Sequence, residues 1–334
     1  LIVSDASDAV DCNVNGTINN AGTITPTGVV SFNSGAVYNH AVNGGTIPTA
    51  TWNSESTCLI TGITNTAPTI NANQSFGNFK WDCAGQTGMI SLGGTLNTVT
   101  GDFTVKNTNS RQLTLGLNET GNLTISGNYV QEGGTFSLSL NRTAPPAKDG
   151  AFRTITVTKD FSLTGGTLDL TNSNTLANTA IINIAGNYTH TGGTLTESGA
   201  TTGSGINFNG SGTPQIYTGG AVAANVTNNV NFTVSSPAFL QMGYETTDFI
   251  PGGNLVKFTI NSGAKLGVTS AAGITTSGAT GNVQVGGART YSTGANYIYN
   301  GLTAQAAGNG LGQNSPANIT ITNTDGVTLS SAVN

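Results

Sequence analysis

The chain has 334 residues and a net charge of −5, with 10 Lys and Arg against 15 Asp and Glu. Only 7% of it is charged, against roughly 25% in an average soluble domain, which excludes the basic footprint of a nucleic-acid binder. Glycine is over-used, at 47 residues. Val, Ile, Thr, Phe and Tyr nevertheless recur throughout, so the composition favours strands and tight turns over disorder or helix.

The first stretch, 1–50, is expected to form lead-in coils of less regular repeat, with 51–334 a continuous array. Leu1 follows no Met or signal-like segment, and Thr328 to Asn334 ends as an uncapped strand, so the chain is expected to be a segment of a larger protein. No apolar run reaches the ~20 residues of a membrane-spanning helix. Asp5, Asp8 and Asp11 are spaced by three, which leaves calcium as a weak alternative to an exposed acidic lead-in.

From residue 77 onward one phrase keeps returning: Asn or Asp, then an aromatic, then a β-branched or small polar pair. Its aromatics are Phe79, Phe103, Tyr129, Phe161, Tyr188, Phe208, Phe232 and Phe258. They are separated by 24, 26, 32, 27, 20, 24 and 26 positions. The preceding residues include Asn78, Asp102, Asn128, Asp160, Asn187, Asn207 and Asn231. A second phrase, Gly-Gly-Thr-Leu/Phe, follows at Gly133–Phe136, Gly165–Leu168 and Gly192–Leu195, and Gly93–Leu96 is a copy in another phase. A fixed period of this kind marks a repeat architecture. Period-two alternation between glycine corners predicts an all-β fold, a β-solenoid of the right-handed parallel β-helix type with coils of about 25 residues. Roughly 13 coils would stack into a rod on the order of 60 Å long. The eight aromatics are expected to form one internal column. The Asn/Asp row beside them would form either a ladder of amide-to-amide bonds or a row of turn residues.

Candidate chemistry is sparse. His190 falls at a repeat position read as outward, and His40 has no partner at a recognisable spacing. No nucleophile elbow, zinc-protease motif, phosphate loop or dinucleotide fingerprint occurs. A β-helix lyase or glycosidase would need clustered carboxylates, whereas the acids are spread thinly. The basic residues Arg111, Arg142, Lys148, Arg153 and Lys159 concentrate in 106–160, the one stretch where catalysis is expected to lie if present. Cys58 and Cys83 are 25 apart, one coil, which permits a disulfide staple if both share a phase and otherwise a buried thiol pair. Trp52, Trp81, Tyr291, Tyr297 and Tyr299 are candidates for an exposed recognition face, with burial in the core as the competing reading.

The Gly-Asn-Tyr…Gly-Gly-Thr-Leu phrase, with Asn53 to Asn65 and Arg289 to Tyr297, resembles the large repetitive surface proteins of Bacteroidota. The resemblance runs over roughly 50–334, and autotransporter passengers and haemagglutinin-like adhesins share the architecture. It implies export by type IX secretion and display at the cell surface, although the family's C-terminal sorting domain has no counterpart here. The expected function is that of a non-enzymatic extracellular stalk, filament or matrix component, with a glycan-binding module as the alternative. The expected partners are cell-surface glycans or copies of the chain itself, besides the secretion and anchoring machinery. No resident cofactor is expected.

Overall fold

The computed structural model describes residues 2–5, 10–71, 74–116, 121–140, 152–172, 179–199, 203–220 and 224–329. Every regular element in these segments is a β-strand, and the paired strands run parallel. No helix among them is long and apolar enough to cross a membrane. The chain is a β-solenoid whose strands are shared among a thirteen-stranded, a nine-stranded and a six-stranded sheet, with smaller sheets at the ends.

The middle of the chain shows how a coil is built. Gly121–Ile125 lies in the nine-stranded sheet, Tyr129–Gln131 in the thirteen-stranded sheet and Thr135–Leu140 in the six-stranded one. Phe152–Val157 then returns beside Gly121–Ile125 and begins the next coil. Between the last two sheets the chain turns at stacked glycines. Gly166 has φ +76°, and a Cβ there would come within 2.2 Å of the Gly134 carbonyl oxygen, so the corner needs glycine on two counts. The thirteen-stranded sheet runs from Thr17–Asn20 to Asn318–Ile321, one strand per coil. The lead-in coils before residue 51 therefore stack in the same sheet as the rest. Coil length varies around the expected 25: register partners are 20 residues apart at Tyr38 and Cys58, and 32 apart at Tyr129 and Phe161.

The expected single aromatic column is two separate features. Phe79, Phe103, Tyr129, Phe161 and Tyr188 are register partners in the thirteen-stranded sheet, and the row continues to Tyr217. Their rings stack at 4.8–6.0 Å, most nearly parallel at Phe161–Tyr188, where the planes differ by 2°. Phe208, Phe232 and Phe258 instead lie in the nine-stranded sheet, where Phe208 pairs with Ile184 and Val234, and Phe232 with Phe258. The short 20-residue interval between Tyr188 and Phe208 is thus a change of sheet, not a short coil. All eight rings are buried. Each is worth about 1.5–3 kcal/mol of burial, and offset stacks add about 0.5–1.5 kcal/mol.

A second corner phrase escapes the sequence reading. Before strands of the thirteen-stranded sheet, a tight turn closes with Ala36, Ala264 and Ala295 donating their N–H to the carbonyls of Asn33, Asn261 and Ser292. The alanines are fully buried, which explains the small side chain. Beyond Ala224–Asn228 the six-stranded sheet stops. The segments 243–256 and 269–288 then connect strands without forming strands of their own, and they meet at an isolated bridge between Ile250 and Val283.

Candidate functional site

The Asn/Asp row is built from side-chain acceptors and main-chain donors. Asn78 Oδ1 accepts from Asp102 N at 2.8 Å, and Asp102 Oδ1 accepts from Asn128 N at 2.7 Å. Asn128 Oδ1 accepts from Asp160 N at 3.1 Å, and Asp160 Oδ1 from Asn187 N at 2.8 Å. Asn187 Oδ1 closes the series on Ile216 N at 2.8 Å. Each coil thus holds the first backbone donor of the next. Only an acceptor oxygen is needed, so Asp and Asn alternate freely. This is neither of the two expected forms, an amide-to-amide ladder or a row of turn residues alone, although Asn128 Nδ2 also reaches Asp102 Oδ1 at 3.0 Å. Asn207 lies elsewhere, in the nine-stranded sheet, and there it does donate amide to amide, to Asn183 Oδ1 at 2.8 Å. Asn231 is in the same sheet, beside Gly205 and Lys257.

His190 points inward, not outward, and so does His40; both are buried. They belong to the inner row one step along from the aromatics: Asn20, His40, Ile60, Trp81, Val105, Gln131, Leu163, His190, Gly219. Tyr38 O–H donates to His40 Nδ1 at 3.0 Å, while His40 Nε2–H donates to the Gly44 carbonyl at 2.7 Å. Tyr188, His190 and Gly193 repeat this arrangement with both distances at 3.4 Å. In the Tyr129 coil Gln131 takes the histidine's place, accepting from the tyrosine hydroxyl at 2.7 Å and donating to the Thr167 carbonyl at 2.9 Å. Coils with Phe in the column carry Trp, Val or Leu two residues on. Burial lowers both histidine pKa values, that of His190 to about 4, so these rings are neutral hydrogen-bond links.

One pair of carboxylates escaped the sequence reading. Asp169 and Glu197 come from consecutive strands of the six-stranded sheet, 4% and 1% exposed. Glu197 Oε1 accepts from the hydroxyls of Thr171 and Ser204, and Oε2 from Gly199 N at 3.3 Å. Asp169 Oδ1 accepts from Ser198 N at 3.0 Å. Burial raises the Asp169 pKa to about 6. Burial and then the Asp169 charge raise that of Glu197 to about 7. The pair can hold a proton near neutrality, and the donors around it are all uncharged. No sequence spacing announced it: the two acids are 28 residues apart (197 − 169), and only coil stacking joins them.

The basic stretch does not assemble into one site. Lys106 forms an exposed ion pair with Asp82 at 2.9 Å, and Arg111 and Lys159 are exposed. Arg153 is buried in register with Gly121 and Ala180. Arg142 and Lys148 lie outside the described residues. Cys58 and Cys83 are free, buried and out of phase, which excludes the staple and leaves the buried-thiol alternative: the register partner of Cys58 is Phe79, and Cys83 Sγ bonds the Ile60 carbonyl at 3.4 Å. Asp11 uses Oδ2 to accept from Val29 N at 2.7 Å; Asp5 is exposed and Asp8 lies outside the described residues.

The five proposed recognition aromatics are core residues, Trp52 the most exposed of them at 7%. Among the described residues Tyr244 is the exposed aromatic instead, at 51%. No local sequence signal marks it, since it falls outside both repeat phrases just as the buried Trp52 and Tyr291 do. It overlooks a cleft of about 290 Å³ where the segments 243–249 and 269–284 meet Leu302 and Thr303. Comparison of the chain with protein-family models, with curated proteins and with solved structures finds no match to any of them.

Proposed function

We propose that the chain is a rigid, non-enzymatic segment of an extracellular surface protein, a stalk or matrix element that sets distance. The observation that carries this reading is the continuity of the thirteen-stranded sheet. Every coil is tied to the next by a parallel strand pair, over an interior filled ring by ring. Such an object resists bending and pulling along its length, and its contacts are between neighbouring coils. The polar groups serve the stack: each histidine links the tyrosine before it to a carbonyl of the corner after it, while Gln131 and the Asn/Asp row bond neighbouring coils. The resemblance to Bacteroidota surface repeats adds the route, export by type IX secretion and display at the cell surface.

The reading is tested on the purified chain by negative-stain microscopy and by incubation with a panel of plant, algal and bacterial polysaccharides. Uniform rods on the order of 60 Å long are expected, with no new reducing ends and no unsaturated products. Turnover of any polysaccharide that is abolished in the Glu197→Gln variant would replace the stalk with an enzyme.

A further inference from the structure

Where the six-stranded sheet ends, the third side of the solenoid is rebuilt from two connecting segments, and their junction is held open by saturated polar groups. Asp248 accepts from Gly219 N at 3.0 Å and from Glu245 N at 3.1 Å. Asn282 Oδ1 accepts from the N–H groups of Thr269 and Ser270, at 2.8 and 2.9 Å, and its Nδ2 donates to the Asp248 carbonyl at 3.3 Å. Both side chains are buried, so they fix the floor of the cleft and leave its rim to face outward. Along that rim Tyr244 is half exposed and Leu302 is 74% exposed, with Phe249 partly buried between. The Tyr244 hydroxyl accepts from Asn300 Nδ2 at 3.3 Å, and the same amide donates to Gln241 Oε1 at 2.8 Å. A ring held in this way need not be ordered when a ligand arrives, which removes one cost of binding.

We propose that this cleft is a binding site for a neutral saccharide. A pyranose ring presents an apolar C–H face and a rim of hydroxyls. The Tyr244 ring face and the apolar Leu302 side chain are available to the first, and Glu245, Thr246 and Thr303 supply acceptors and donors for the second. The cleft volume of about 290 Å³ lies at the small end of ligand pockets, which suits one or two sugar rings and not a long embedded chain. Charge decides the class of sugar. The lining contains two carboxylates, Glu245 and Asp248, and no Lys or Arg. Uronic or sulfated sugars are therefore repelled, while hexoses and N-acetylhexosamines are accepted. The site is independent of the stalk reading: a stalk without it would still be a stalk.

The test is titration calorimetry of the purified chain with cello-, malto- and chitohexaose, and with an oligogalacturonate and a heparin-derived hexasaccharide as acidic probes. Binding of at least one neutral probe is expected, with no binding of either acidic one. Tyr244→Ala should weaken it about tenfold or more, the loss of about 1.4 kcal/mol of ring contact. Tyr244→Phe should keep it within about threefold, because the ring face remains. Tyr244 is exposed, so both variants are expected to keep the wild-type circular dichroism and melting temperature, which separates loss of binding from loss of fold. Absence of any neutral binding, a preference for the acidic probes, or an affinity indifferent to Tyr244→Ala would each overturn the proposal.

Discussion

Tyr129 and Tyr217 occupy the same inner row and are equally buried, yet only one has an acceptor for its hydroxyl. Two residues after Tyr217 the inner row holds Gly219 in place of Gln or His, and the Tyr217 hydroxyl finds no partner among the described residues. Burying a hydroxyl without a partner costs about 1–3 kcal/mol. Tyr217→Phe is therefore expected to stabilise the protein by about 1 kcal/mol, read as a higher urea midpoint. Tyr129→Phe strips the Gln131 carbonyl of its donor and should destabilise by about 1–2 kcal/mol. The same substitution with opposite signs at two rungs of one column tests the hydrogen-bond assignment directly. Glu197 adds a pH term. Its carboxyl titrates near 4.5 unfolded and about 7 folded, so between these values the folded state holds more protons. Its contribution therefore falls as pH rises through that window. The melting temperature of Glu197→Gln minus that of wild type should increase from pH 4.5 to 7 and level off above. His190, neutral inside and titrating near 4, works in the opposite sense over about the same range. A difference curve flat in pH would show that Glu197 is ionised throughout.

The strand and its corner are the scale at which the Asn/Asp row acts. Asp102 is an acceptor for Asn128 N–H and for Asn128 Nδ2. Asp102→Asn keeps an oxygen there and should cost less than about 0.5 kcal/mol, whereas Asp102→Ala removes it and should cost about 1–2 kcal/mol by chemical denaturation. Equal costs would mean that charge, not the acceptor, matters at this position. The repeat itself was legible because Gly-Asn-Tyr and Gly-Gly-Thr each serve a backbone need that few residues meet. Which sheet a copy belongs to was not. The inner faces of the nine- and thirteen-stranded sheets accept the same aromatic after the same Asn, and only the axial partner tells them apart. Phe208 and Tyr188 read alike, yet one stands beside Val234 and the other beside Tyr217. His190 was misread for a different reason. Its repeat position was read as outward, with Gln131, Thr164 and Val105 as counterparts, whereas period-two alternation places residues 188 and 190 on one face and the register partner is the buried Leu163; the coupling of Tyr to His or Gln two residues later was the signal that resolves it. Tyr244 and the Asp169–Glu197 pair had no local signal of chemistry, because their neighbours arrive from other coils.

Across the whole molecule each coil touches little beyond the coils on either side, so damage should stay local. Phe161 is the sharpest probe, stacked on Tyr129 at 4.8 Å and on Tyr188 at 5.0 Å, with planes within 4° and 2°. Phe161→Ala leaves a cavity between two rings that cannot approach each other, because both are fixed by their own strands, and should cost about 3–5 kcal/mol locally. In a single cooperative domain that loss would lower amide protection everywhere. In a stack with nearest-neighbour coupling it would lower protection over the strands around Tyr129, Phe161 and Tyr188. Val37–His40 and Asn296–Tyr299, several coils away in the same sheet, would keep theirs. Native-state hydrogen exchange of wild type and variant distinguishes the two, and a uniform loss of protection would refute nearest-neighbour coupling. The local outcome is also what a stalk requires. A rod that carries tension or sets a distance keeps its length when one coil opens, since the parallel pairs on either side of the defect remain closed.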